Sequence, residues 1–167
     1  MVYIQIVDDI NKITKNDIEL IFDEKFSNVF DQKIIIPNFI RIIIFGENFN
    51  GEIIIPDSVQ TIIFGKRFNQ KIIIPNSVQT LIFGEDFNKK IIIPNSVKTI
   101  AFKYHFNKQI IIPNSVKTIT FGYLFHQIII IPNSVQTITL EYWFNKKIKI
   151  PKHIKVIEFY KTIVLNR

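Results

Sequence analysis

Hydrophobic and polar positions return in one fixed order along most of the chain. In the stretch from 53 to 74, an isoleucine triplet, Ile53 to Ile55, is followed by Pro56, the polar pair Asp57-Ser58, and Val59. Ile62 and Phe64 then alternate with Thr61 and Ile63, before Gly65, a Phe68-Asn69 pair and the next triplet, Ile72 to Ile74. Alternation with a period of two is the signature of a half-buried strand, with Val59, Ile62 and Phe64 facing inward and Thr61 and Ile63 on the other face. The triplets are β-branched, too short for a helix, and stopped by a proline that has no N–H to continue a ladder. They predict a second strand in each unit. In a true strand the middle isoleucine points opposite its neighbours, so Ile35, Ile54, Ile73, Ile92, Ile111 and Ile130 fall on the outside. A unit twisted enough to bury all three is the alternative. That apolar column ends at Lys149.

The prolines set the period. Pro37, Pro56, Pro75, Pro94, Pro113, Pro132 and Pro151 account for all seven, each 19 residues from the next, with no insertion between them. So regular an array predicts an all-β, right-handed solenoid of about seven 19-residue coils, with room for no more than a 3₁₀ turn near the Phe-Asn pair. Stacking turns every repeated position into a column. Phe45, Phe64, Phe83, Phe102 and Phe121 form one aromatic spine, and Phe49, Phe68, Phe87, Phe106, Phe125 and Phe144 a second. Gly65 suits a corner that needs unusual dihedrals. Asn50, Asn69, Asn88, Asn107 and Asn145 turn the corner after the second spine, a column that His126 interrupts and is expected to perturb locally. Ser58, Ser77, Ser96, Ser115 and Ser134 are expected to bond turn backbone groups.

Departures from the pattern sit where an open stack needs ends. Residues 1–33 read as an N-terminal cap with a degenerate coil, 34–150 as the regular repeats, and 151–167 as a closing coil in which Ile163-Val164 replaces Phe-Asn. Val2 to Val7 fits an edge strand. Within Ile18 to Ser27 two registers are open: Ile21, Phe22, Phe26 and Ser27 echo the Ile, Phe, Phe, Asn order, or Phe26 and Phe30 occupy the two Phe columns.

Composition sharpens this picture. Isoleucine makes up 40 of 167 residues, which matches one packing environment used many times. With no cysteine there are no disulfides, thiol catalysis or common zinc sites, in keeping with a reducing compartment such as the cytoplasm. The longest apolar runs are four residues, far below the ~20 that span a bilayer. Of the net charge of +7, residues 1–33 hold −3 and the rest +10.

Ile74 to Asn88, reading Ile-Pro-Asn-Ser-Val-Gln-Thr-Leu-Ile-Phe-Gly-Glu-Asp-Phe-Asn, resembles an FNIP repeat, a leucine-rich-repeat-like module of social amoebae and of giant viruses that infect amoebae. The likeness extends over residues 34–160, because Ile-Pro-x-Ser-Val, Phe-Gly and Phe-Asn recur together in register. It marks a compact variant, since family units usually carry about three more residues between Phe-Asn and Ile-Pro. The resemblance implies a leucine-rich-repeat-like β-solenoid acting as a protein-binding module, and, for a viral protein, one working in the host cytoplasm. Some family members join the repeats to an F-box-like segment that recruits ubiquitin ligase machinery; residues 1–33 hold no convincing match to one.

No constellation suggests catalysis or a cofactor. His105, His126 and His153 occupy different positions in their coils, and Glu85-Asp86 and Glu47 with Glu52 read as solvated faces. There is no phosphate-binding glycine loop and no His-Glu-x-x-His. Three surfaces stand out. The first is the middle-isoleucine column, a candidate for self-association across a twofold axis. In the second, the pair after the glycine changes from charged (Lys66-Arg67, Glu85-Asp86) to aromatic (Tyr104-His105, Tyr123-Leu124, Tyr142-Trp143), the chemistry of a partner-binding hot spot. The third comprises Lys71, Lys89, Lys90, Lys108, Lys146 and Lys147, which form a basic ridge. A protein-interaction module is the leading expectation, with a protein partner or a second copy; a polyanion binder, for nucleic acid or anionic lipid, is the alternative.

Overall fold

The structure, a computed structural model of the chain, describes residues 2–4, 14, 18–23, 34–141 and 150–158. Among the described residues nine short strands form one parallel sheet in chain order: β1 (Val2–Ile4), β2 (Glu19–Phe22), β3 (Ile42–Ile44), β4 (Thr61–Ile63), β5 (Thr80–Ile82), β6 (Thr99–Ala101), β7 (Thr118–Phe121), β8 (Thr137–Leu140) and β9 (Lys155–Glu158). Each pairs only with the equivalent strand of the next coil, so Ile62, Leu81, Ile100, Ile119 and Ile138 lie side by side, as do the threonines before them. A slip of one residue would turn this column outward, and the strict 19-residue rhythm prevents it. The described residues contain no helix. The all-β solenoid read from the period is the fold.

The core is a stack of identical layers. Val59, Ile62, Phe64 and Phe68, and their equivalents through Val135 and Ile138, are all buried, and no described polar or charged residue is. Phe64, Phe83 and Phe102 stack nearly parallel at 5.3 and 5.5 Å, and within a coil Phe83 lies 3.8 Å from Phe87. At about 1.5 to 3 kcal/mol for each fully buried side chain, the two spines carry much of the stability. At the N-terminal side, Phe22 stacks on Phe45 at 4.9 Å, which places Phe22 itself in the first spine and chooses between the two open registers. Val2–Ile4 is the edge strand. Phe26, Phe30, Ile163 and Val164 lie outside the described residues.

The triplets correct the sequence reading. They are extended but do not form a second sheet; one isolated bridge, Ile35 to Ile54, is the only pairing among the described triplets. Ring spacing gives the reason. In the first spine, at the strands, centroids lie 5.0 to 5.5 Å apart; in the second, one corner closer to the triplets, they lie 5.9 to 6.1 Å apart. The coils fan open past the ~4.8 Å that a backbone ladder requires. Across that wider gap the asparagine side chains make the connection. The Asn50, Asn69 and Asn88 amide oxygens accept from the backbone N–H of Asn69, Asn88 and Asn107 at 2.8 to 3.1 Å.

Three smaller expectations change as well. His126 takes the link from the asparagine before it, its N–H donating to Asn107 Oδ1 at 3.2 Å, while its ring turns back on the same and the preceding coil, with nitrogens 3.0 Å from Asn107 Nδ2 and 2.9 Å from the Leu124 carbonyl. Gly46, Gly65, Gly84 and Gly122 sit in close approach to neighbouring backbone, with no left-handed dihedral involved. A Cβ on Gly84 would sit 1.9 Å from the Gly65 carbonyl oxygen. Of the described serines, only Ser58 bonds backbone, donating to the Ile40 carbonyl at 2.7 Å; the hydroxyls of Ser77, Ser96, Ser115 and Ser134 are buried with no hydrogen-bond partner.

Candidate interaction surfaces

Two exposed surfaces follow from this packing. The first is the corner after the glycine. Its turn is closed by bonds such as Phe49 N–H to the Gly46 carbonyl at 3.2 Å. Successive corners are then tied together: the Arg67, Asp86, His105 and Leu124 N–H groups donate to the carbonyls of Glu47, Lys66, Glu85 and Tyr104 at 2.9 to 3.0 Å. Side chains at these positions therefore line up in two columns. Along the first, Lys66 pairs with Glu85 at 3.3 Å, and then the chemistry changes. Tyr104, 41% exposed, lies 5.2 Å from the half-buried Tyr123, and His105 meets Tyr104 edge-on at 4.8 Å. His105 Nδ1 lies 3.1 Å from the Glu85 carbonyl and 3.2 Å from Asp86 Oδ1, which holds the ring against the charged coil below. Tyr104, His105 and Tyr123 thus form a continuous aromatic group beside a charged ridge, with Leu124 next to Tyr123 in the chain. Tyr142 and Trp143 lie outside the described residues.

A pair that sequence reasoning missed borders this ridge. Lys103 and Glu141 occupy the glycine position of their coils, and Gly122 is the coil between. With no side chain on Gly122, Lys103 Nζ reaches Glu141 Oε1 at 2.8 Å across it. The available signal was the two departures from glycine, opposite in charge and two coils apart.

The second surface is the triplet side. Ile35, Ile54, Ile73, Ile92, Ile111 and Ile130 are 60 to 89% exposed, while Ile36, Ile55, Ile74, Ile93, Ile112 and Ile131 are buried. Strand-like geometry holds here without strand pairing, and the middle isoleucine faces out as expected. Two residues before it runs a second exposed column, Glu52, Lys71, Lys90, Gln109 and Ile128. Ile128, 93% exposed, extends the apolar surface by one residue. Its signal was the only run of four consecutive isoleucines in the chain. The basic ridge divides instead: Lys71 and Lys90 stand in this column, and the half-buried Lys89 and Lys108 in the one before it. Lys146 and Lys147 lie outside the described residues. No group of three or more His, Asp or Glu among the described residues could hold a metal ion, and no described helix is long and apolar enough to cross a membrane.

A single parallel sheet, one strand per coil, with asparagine-bridged corners, defines the class as a leucine-rich-repeat-like β-solenoid. The profile of the FNIP repeat matches residues 30–67, 52–86, 68–105, 87–124 and 125–162, and the chain belongs to that family. Among solved structures it is similar to CroV588, a giant-virus protein described as a novel circular leucine-rich-repeat structure, with a TM-score of 0.75 and 33% identity. The similarity covers 89% of this chain and 24% of that one, so this chain spans about a quarter of its length. No curated protein matches. Solenoids of this kind are typical of protein-interaction modules.

Proposed function

We propose that the chain is a non-catalytic interaction module that associates with itself through the triplet side and offers the aromatic corner to a protein partner. The observation that carries this reading is the column of six isoleucines left 60 to 89% exposed on one face. Monomers rarely leave so large a continuous apolar stripe in water. Self-association buries it, and an isologous contact lets one stripe cover its copy. The corner suits a different chain, because Tyr104 and Tyr123 supply rigid apolar area with polar tips, and His105 a further polar group. A cysteine-free chain fits a reducing cytoplasm, the host's if the protein is viral, and there it would act as an adaptor.

Sedimentation of the unmodified chain and of an Ile73→Lys, Ile92→Lys, Ile111→Lys variant tests the first surface. The expected result is a dimer that becomes a folded monomer. A variant that sediments like the parent chain overturns the reading. For the corner, Tyr104→Ala with Tyr123→Ala should abolish capture of a partner without changing the circular dichroism spectrum. Capture that survives this change but disappears between low and moderate salt would favour the polyanion reading through Lys71 and Lys90.

A further inference from the structure

Resting on that reading of the triplet side, the geometry points to a second copy of this chain docked with its coils in register, the twofold axis parallel to the stacking direction, so that the central isoleucine rungs, Ile73 and Ile92, meet the same rungs of the other copy. Shape comes first. The coils fan open toward the triplets, so this face bows outward along the stack, and the exposed Ile73 and Ile92 at its middle make the contact. The stripe is one residue wide, and this chain is itself a protein that carries a matching stripe at the same spacing.

Charge chooses between the arrangements. A twofold axis relating two faces in contact lies in the plane between them. If the two stripes lie along each other with their centres together, the axis runs either along the strands or along the stack. An axis along the strands reverses the coil order: Ile73 meets Ile92 of the second copy, and the column two residues before the stripe meets itself reversed. Lys71 then opposes Lys90 of the second copy, and Lys90 opposes its Lys71, two like-charge contacts at the centre of the interface. Such juxtapositions oppose association. An axis along the stack carries that column across to the prolines, which stand two residues beyond each middle isoleucine. Lys71 and Lys90 then lie over the half-buried Pro75 and Pro94 of the second copy, where their methylene stems pack and their ammonium groups stay wet. Ile128 lies over Pro132, an apolar contact. No two like charges stand directly opposed.

The chain has no cysteine, so an introduced thiol reports one position. Ile54→Cys and Ile111→Cys are each treated with a bis-maleimide too short to bridge three coils, with the fold checked by circular dichroism. The expected result is that each variant crosslinks to itself in high yield. If neither does so alone and only their mixture crosslinks, the axis runs along the strands, and the register falls while self-association stands. A dimer that crosslinks in neither case places the interface elsewhere and overturns both. A sedimentation monomer of the unmodified chain also overturns both. Lys71→Glu gives a second measurement. In register, the glutamate lies over proline and the dimer Kd stays within about threefold; tenfold or greater tightening, from pairing with Lys90 of the second copy, marks the reversed arrangement.

Discussion

Ile62 and Ile73 sit on opposite sides of the same stack, yet only Ile62 belongs to a hydrogen-bonded ladder. Both are β-branched residues in extended backbone, and both alternate inward and outward with their neighbours. They differ in the distance to the next coil. At the strands the rings behind Ile62 stack at 5.0 to 5.5 Å and backbone amides reach carbonyls directly; toward the triplets the spacing approaches 6 Å and asparagine side chains make the connection. A repeat chain can thus present two extended sides of nearly the same composition, one stitched by backbone and one held only by the core beneath it. The second side is free to curve and to vary its outward residues, and there the chain exposes its apolar column.

That contrast can be broken most severely at the core the two sides share. Phe83→Ala removes a ring that is stacked above and below and touches Phe87, and should cost about 3 to 5 kcal/mol by urea denaturation. A stable Phe83→Ala variant would mean that the spines are not what holds the coils together. Proline substitution separates the sides themselves. In Thr80→Pro the chain loses an amide that donates to the Gln60 carbonyl at 3.1 Å, with an expected cost of about 3 kcal/mol. Ile92→Pro, on the unpaired side, should cost less than half of that. Equal losses would show a ladder at the triplets that the fold lacks.

Smaller effects sharpen the comparison at the corners that join the sides. Asn88→Ala leaves the Asn107 N–H without its acceptor and should cost about 1 to 2 kcal/mol, with faster amide exchange confined to the neighbouring coils. At the proline turn, Ser96→Ala deletes a buried hydroxyl that has no partner and should be neutral or stabilising by up to about 1 kcal/mol in thermal melts. Ser58→Ala loses a 2.7 Å bond to the Ile40 carbonyl and should move the melt the other way by a similar amount. A destabilised Ser96→Ala variant would imply that the hydroxyl is satisfied in solution.

Several of these features could be read directly from the residues. The 19-residue proline period specified the coil, and alternation within Val59 to Phe64 assigned inward and outward faces correctly. The same local rule put Ile73 and Ile92 outside, because side-chain direction in extended backbone depends only on the chain's own pleat. The aromatic corner was visible as a break in a column, from Glu85-Asp86 to Tyr104-His105. Every one of these inferences concerns a single coil or equivalent positions in stacked coils.

The remaining features depended on how far apart the coils settle and how closely they approach, which no single coil specifies. Ring packing in the two spines opens the stack on one side, and that turned the predicted second strand into unpaired extended chain. Close contact at the other corner accounts for Gly65 and Gly84 by space, where a lone coil suggested dihedral freedom. It also let Lys103 reach Glu141 past Gly122. The six lysines shared a stretch of sequence after Phe-Asn, but the pleat sent Lys71 and Lys90 to one column and Lys89 and Lys108 to another. Direction along a chain is a local property of its covalent geometry; spacing between chains is a collective outcome of packing, and the stack alone decides it.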